Sequence, residues 1–115
     1  MPSTEPTLTL ETKRYAGSCV MLCCKGRLVA GSTSVLATAV TALLPETKRI
    51  ILDLSGLQHT DSMGLGTLVK LYVTARSAGS SLELTHLSQQ IRNLLGMTNL
   101  LDVFTVLGEH GTRLL

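Results

Sequence analysis

The residues best placed to do chemistry fall in HTDSMGLGTLVKL, positions 59 to 71. His59, Asp61 and Ser62 stand within four positions of one another. Gly64 and Gly66 follow at the point where a helical pattern begins. A hydroxyl beside an imidazole and a carboxylate suggests a nucleophile, and a glycine-rich helix start suggests a phosphate cradle. Both can be tested on spacing. The nucleotide-binding loop needs a Lys-Ser/Thr pair after its glycine, and Gly66 is followed by Thr67 and Leu68. The dinucleotide pattern needs a third glycine, and Val69 occupies that place. The strained elbow of serine hydrolases needs Gly two residues before the Ser, and Thr60 stands there. His59, His86 and His110 are the only histidines, and no convergent base and oxyanion hole can be read around Ser62. A non-catalytic role is expected.

What remains is a helix start with unusual residues. Asp61 or Ser62 can cap it, because an Asp or Ser oxygen accepts from a free N–H of the first turn. No Glu or Gln lies three residues beyond either, so no capping box forms. Glycine costs about 1 kcal/mol against alanine inside a helix. Two of them strip side chains from around Ser62 and leave its hydroxyl approachable. That suits a modification site. Phosphate adds about −1.5 to −2 charges. A helix N-terminus favours an anion by about 0.3–1 kcal/mol, whereas Asp61 repels it. The fold should tolerate the phosphate, and a partner packed against the bare turn should not.

The elements that position this turn follow from hydrophobic spacing. LTLET (8–12) alternates as a strand, RYAGS turns, and CVMLCC (19–24) is the second strand of a hairpin. Gly26 and Gly31 bracket a loop. Ser32 or Thr33 caps an uncharged helix running to about Leu44, where Pro45 stops it. RIILDL (49–54) reads as a central strand covered on both faces, with SGLQHT a loop. The second helix spans about Ser62 to Arg76, with Leu65, Leu68, Val69 and Tyr72 inward and Thr67, Lys70 and Thr74 outward. Gly79 ends it. SLELT (81–85) is a strand, and Ser88 caps a short helix through Leu95, with Gly96 as its C-cap. VFTVL (103–107) is the last strand, and GEHGTRLL can add one helical turn at most. The expected fold class is α/β: a small mixed β-sheet in the order ββαβαβαβ, with helices on one side or split across it. The whole chain, 1–115, forms one domain with a polar tail at 1–7.

Composition excludes several classes. The 115 residues are 44% hydrophobic with a net charge of +2, and no basic block or stacking aromatics point to nucleic acid. Cys19, Cys23 and Cys24 form no Cys-x-x-Cys pair and no histidine is placed to complete a zinc site, so no metal or cofactor is expected. They read as reduced thiols packed as small hydrophobes. MPSTEPT lacks the basic and apolar regions of a signal peptide, and a cytoplasmic location is expected. Residues 28 to 45 carry no charge, but five Ser/Thr and a Gly interrupt them, so no membrane insertion is expected.

Asp61-Ser62-Met63-Gly64-Leu65-Gly66, following Asp53-Leu54-Ser55, resembles the core motif of the STAS domains of bacterial anti-sigma-factor antagonists. Leu94-Leu95-Gly96-Met97-Thr98 and Val103-Phe104 are similar to the family's later segments, and the likeness runs from about Leu8 to Leu107. The resemblance implies that Ser62 is the phosphoacceptor of an anti-sigma factor that is a serine kinase. The unphosphorylated chain would bind that kinase and free a sigma factor, and a serine phosphatase would reset the switch. Asp61, Met63, Gly64, Gly66, Thr67 and Lys70 would meet the partner, and ATP would belong to the kinase. Two departures stand out. The family often has Gly-x-Leu-Asp where this chain has Gly26-Arg27-Leu28-Val29. The usual C-terminal helix is also shortened, leaving apolar surface that a homodimer would cover. The alternative within the same resemblance is a non-switching scaffold, in a stress-signalling assembly or as a lipid-transporter subunit.

Overall fold

The computed structural model describes residues 7–99 and 103–107. Its elements are β1 (Leu8–Tyr15), β2 (Cys19–Leu28), α1 (Thr33–Leu43), a 3-10 turn (Leu44–Glu46), β3 (Arg49–Thr60), α2 (Ser62–Ser77), β4 (Ser81–Thr85), α3 (Gln89–Met97) and β5 (Thr105–Leu107). They form one five-stranded sheet in the order β1-β2-β3-β4-β5. β1 pairs antiparallel with β2, and the remaining pairs are parallel. The expected mixed α/β sheet is therefore present.

Each parallel crossover advances one strand in the same direction. Right-handed crossovers then put all three helices on one face. Burial agrees. Val20, Leu22 and Cys24 of β2, Ile50, Leu52 and Leu54 of β3, and Leu82 and Leu84 of β4 share one cluster with Leu36, Val40, Leu65, Leu68, Leu71, Ala75, Ile91 and Leu95 of the helices. Ile51 is buried but stands outside that cluster. Cys23, Asp53 and Glu83, which alternate with the core positions, are only half-buried. This corrects the expectation that β3 is covered on both faces: among the described residues, helices cover one face only. The β-branched run reflects a central position in the sheet, not two helical layers.

Several boundaries also differ. β1 continues to Tyr15, and the turn is Ala16–Ser18, with Gly17 and Ser18 at positive φ. β2 continues through Gly26 to Leu28. SGLQHT is not a loop but the second half of β3, paired with β2 through two register shifts. The shifts let glycines and polar residues stay in a strand that their propensities do not favour. Gly96 lies inside α3, which is capped at Thr98 instead. β5 is confined to 105–107. The tail GEHGTRLL and residues 1–6 lie outside the described residues. Tyr72, expected in the core, is half-buried and meets Phe104 edge-on with ring centroids 5.3 Å apart.

Leu52 is fully buried at the centre of β3. Leu52→Ala should lower the unfolding free energy by about 2–5 kcal/mol through lost burial and a cavity. Urea denaturation at an unchanged m-value measures this.

Candidate functional site

The C-terminal ends of β2 and β3 lie side by side, with Leu28 opposite Thr60. Both strands end there, and two connections leave together: Val29–Ser32 toward α1, and Asp61 into α2. Asp61 joins them. It is the N-cap of α2, and its Oδ1 accepts from the Gly64 N–H at 2.9 Å. Its Oδ2 accepts from the Ala30 N–H at 3.0 Å. One carboxylate thus holds a helix start and the neighbouring loop. The N–H groups of Ala30 and then Gly64 hold the Asp61 carboxyl below the usual carboxylate range.

Gly64 explains itself from the same geometry. It is buried, and a Cβ there would overlap the Leu28 carbonyl oxygen and the Thr60 Oγ1. Thr60 Oγ1 donates to that carbonyl at 2.7 Å, and the Asp61 N–H donates to it at 3.4 Å. Gly64 was expected at the partner contact. It faces β2 inside the chain instead, and the close approach accounts for the glycine. Gly66 differs. It is exposed, and a Cβ there would meet nothing within 4 Å.

Ser62 occupies the first position of α2 and is exposed. Among the described residues its hydroxyl makes no hydrogen bond. Met63 beside it is 59% exposed. Thr67 is half-buried, and its Oγ1 donates to the Met63 carbonyl at 2.9 Å. Asp61, Ser62, Met63, Gly66 and Thr67 therefore share the first turns of one helix. Lys70 is exposed eight residues beyond Ser62, about 12 Å along the axis at 1.5 Å per residue.

Two residues of the site escaped the sequence. Ser32 does not cap α1 with its side chain. Its buried hydroxyl donates its one proton to the Arg27 carbonyl at 2.8 Å, with the Val29 carbonyl at 3.0 Å, and accepts from the Val29 N–H, fixing the loop that Asp61 grips. Ala30 contributes only a backbone N–H, which leaves no mark on residue type. The β-branched hydroxyl Thr60 next to an N-cap was the one visible hint of a strand-end lock.

Among the described residues, the histidines, Asp53 and the cysteines take no part in the hydrogen bonds of this turn. His59 belongs to β3 and is exposed. His86 Nδ1 stands 3.5 Å from Asp53 Oδ1. Asp53 also accepts from the Ser55 N–H at 2.9 Å. Burial raises the Asp53 carboxyl, but the Ser55 hydrogen bonds and His86 outweigh it and the net direction is down. His110 lies outside the described residues. The three cysteines are unpaired, and burial pushes the Cys24 thiol up to about 12. Among the described residues, no helix is long and apolar enough to cross a membrane.

The family model described as the STAS domain matches residues 10–112. Among solved structures, an anti-sigma factor antagonist from Mycobacterium paratuberculosis aligns with a TM-score of 0.75 at 17% identity, over 86% of this chain and 84% of that one. The anti-sigma factor antagonist SpoIIAA of Bacillus, in its unphosphorylated form, aligns with a TM-score of 0.73 at 14% identity, over 89% and 90%. SLC26A9, an anion transporter of the solute carrier 26 family, aligns with a TM-score of 0.66 at 18% identity, over 75% of this chain and 17% of that one. At these identities the structural likeness shows the fold alone.

Two substitutions separate the glycines. Gly64→Ala should destabilise the chain by about 1–3 kcal/mol, because the clash is with backbone. Gly66→Ala should stabilise it by up to about 1 kcal/mol, by helix propensity. Urea midpoints decide both. A third concerns pH. The lowered Asp61 carboxyl stabilises the fold above its unfolded value of 3.8, and that contribution is lost as pH falls through the lower folded value. Asp61→Asn should therefore flatten the decline of stability below about pH 4, leaving the part that Asp53 contributes. Denaturation at stepped acidic pH measures the difference.

Proposed function

The chain belongs to the STAS domain family, and from that premise we propose that it is an anti-sigma-factor antagonist switched at Ser62. In this reading it binds an anti-sigma factor while Ser62 is unmodified, and so releases a sigma factor. The anti-sigma factor is also the serine kinase that ends the complex, and a serine phosphatase restores it. This chain supplies a hydroxyl and a docking surface and performs no catalysis of its own. The observation that carries the reading is the state of the Ser62 side chain: exposed, its hydroxyl without a hydrogen bond among the described residues, at a helix start held by Asp61.

The physics of the switch follows from that position. A kinase must reach the oxygen without unfolding its host, and an exposed first-turn serine meets that requirement. The phosphate it leaves adds about −1.5 to −2 charges. On the free chain those charges face water. In a complex they must be buried against the partner, where an unpaired charge costs several kcal/mol. Each 1.4 kcal/mol is a tenfold loss of affinity, so modification ejects the partner without altering the fold. Asp61, itself an anion beside Ser62, adds repulsion and does not soften this. Met63, with its apolar side chain mostly in water, is the anchor expected at the centre of the contact.

A second reading keeps the fold and drops the switch. The alignment with a transporter chain many times longer shows that the same architecture also occurs as part of a larger protein. Val29 favours this reading, since the family often carries Asp there. The exposed face of α1 does so too: Val35, Thr38, Thr41 and Ala42 present no charge and suit an assembly surface, including one between two copies of the chain.

Binding to the cognate anti-sigma factor separates the readings. Ser62→Ala should bind as wild type does and resist release by ATP. Ser62→Asp should bind at least about 30-fold more weakly, which is roughly 2 kcal/mol of buried unpaired charge. Intact mass after incubation with the kinase and ATP should rise by one phosphate, and not in Ser62→Ala. Wild-type affinity in Ser62→Asp overturns the charge-exclusion mechanism.

A further inference from the structure

We propose that Lys25, Arg27 and His59 form a basic shoulder beside the Ser62 turn that receives an acidic surface of the bound protein. The proposal rests on the function just proposed and names the chemistry of its partner. Lys25 and Arg27 are exposed near the end of β2, and Arg27 stands opposite exposed His59 of β3. Lys25 pairs with Gly56, where a Cβ would come within 2.8 Å of the lysine Cγ. The glycine leaves room for the lysine stem to lie across the strand. Among the described residues, neither the Lys25 nor the Arg27 side chain makes an ion pair or hydrogen bond.

Among the described residues, the acids nearby do not pair with the shoulder. Asp61 spends both oxygens on backbone N–H groups. Asp53 faces His86 and Ser55. Glu11 stands opposite Cys23, two residues further from the turn, and Lys25 itself faces Thr9 across the hairpin. The described segments that adjoin the Ser62 turn carry little further charge. α1 has no charged residue, the loop Val29–Ser32 has none, and α2 has none before Lys70.

Interface size turns this placement into a requirement. His59 is three residues before Ser62, at most about 10 Å away at 3.3 Å per residue. A stable protein interface covers about 800 Å² on each side, a disc of roughly 16 Å radius. A partner centred on Ser62 therefore covers His59 and reaches Arg27 opposite it, with Lys25, paired with Gly56, at or just beyond its rim. Cations that lose water without a counter-charge weaken binding, and acidic residues opposite them speed encounter. An acidic rim is the surface that fits.

The test uses the full chain and the anti-sigma factors encoded in the same genome, purified and immobilised one by one. Association rates are read from about 50 to about 300 mM NaCl. The wild-type rate should fall several-fold across that range. The double substitution Lys25→Ser, Arg27→Ser should lower the rate at low salt by about tenfold and remove most of the salt dependence, with dissociation within about twofold. Both positions are exposed, and an unchanged urea midpoint verifies folding. If the wild type binds none of the anti-sigma factors, the proposed function fails. If it binds one and the double variant associates at the same rate with the same salt slope, the shoulder alone is wrong. Co-sedimentation with phosphatidylserine vesicles that is lost in the variant, with anti-sigma association unchanged, also overturns the proposal by assigning the shoulder to a membrane.

Discussion

The site depends on how closely the start of α2 approaches the end of β2. The Leu28 carbonyl accepts from the Thr60 hydroxyl and from the Asp61 N–H, and Gly64 sits against it. A side chain at position 64 would force these apart. With the glycine in place, Asp61 reaches Ala30 on one side and its own helix on the other. The geometry around Ser62 is thus set by a backbone contact between segments far apart in sequence, and polar groups finish what the contact begins. The sheet supplies the leverage: β2 and β3 run parallel and in contact, so their ends are fixed relative to each other before the turn is formed.

That arrangement divides the labour between the residues of the motif. Asp61 and Gly64 look inward and belong to the fold. Ser62, Met63 and Gly66 look outward and are free to serve a partner. The two glycines resemble each other in the sequence and differ in cause. One answers a steric demand. The other leaves the helix surface low, at an energetic cost the fold does not require. Among the described residues Gly66 answers no contact inside the chain, which suits the partner role proposed for this turn.

The sequence made the alternation of strands and helices readable because the core positions are nearly all aliphatic and correctly spaced. Leu65 and Leu68 of α2, and Ile91 and Leu95 of α3, all lie where the helical period puts them. Asp61 was legible as a cap because its chemistry is local. What misled was non-local. SGLQHT has the composition of a loop, yet parallel pairing with β2 and two register shifts keep it in β3. Gly96 looks like a helix end, but α3 runs past it. Gly64 looked exposed because nothing near it in the chain announces Leu28. In each case the deciding group sits on another element, and single-residue propensities carry no information about it.

The same contrast bears on how a switch can operate here. If Ser62 were held by the fold, phosphorylation would have to break that hold and the signal would be a conformational change. Its hydroxyl has no such hold among the described residues, and the carboxylate that grips the turn is the neighbour's. A phosphate at Ser62 therefore meets little structure to disturb, although Asp61 repels it through water. The information then resides in charge alone, read by whatever protein must dehydrate the turn. A reader of that kind needs a neutral centre, where the cost of burying a new charge is highest. It gains from fixed charges only at the edge, where water still screens them. The uncharged α1, the uncharged first turns of α2 and the cations set back on β2 follow that order.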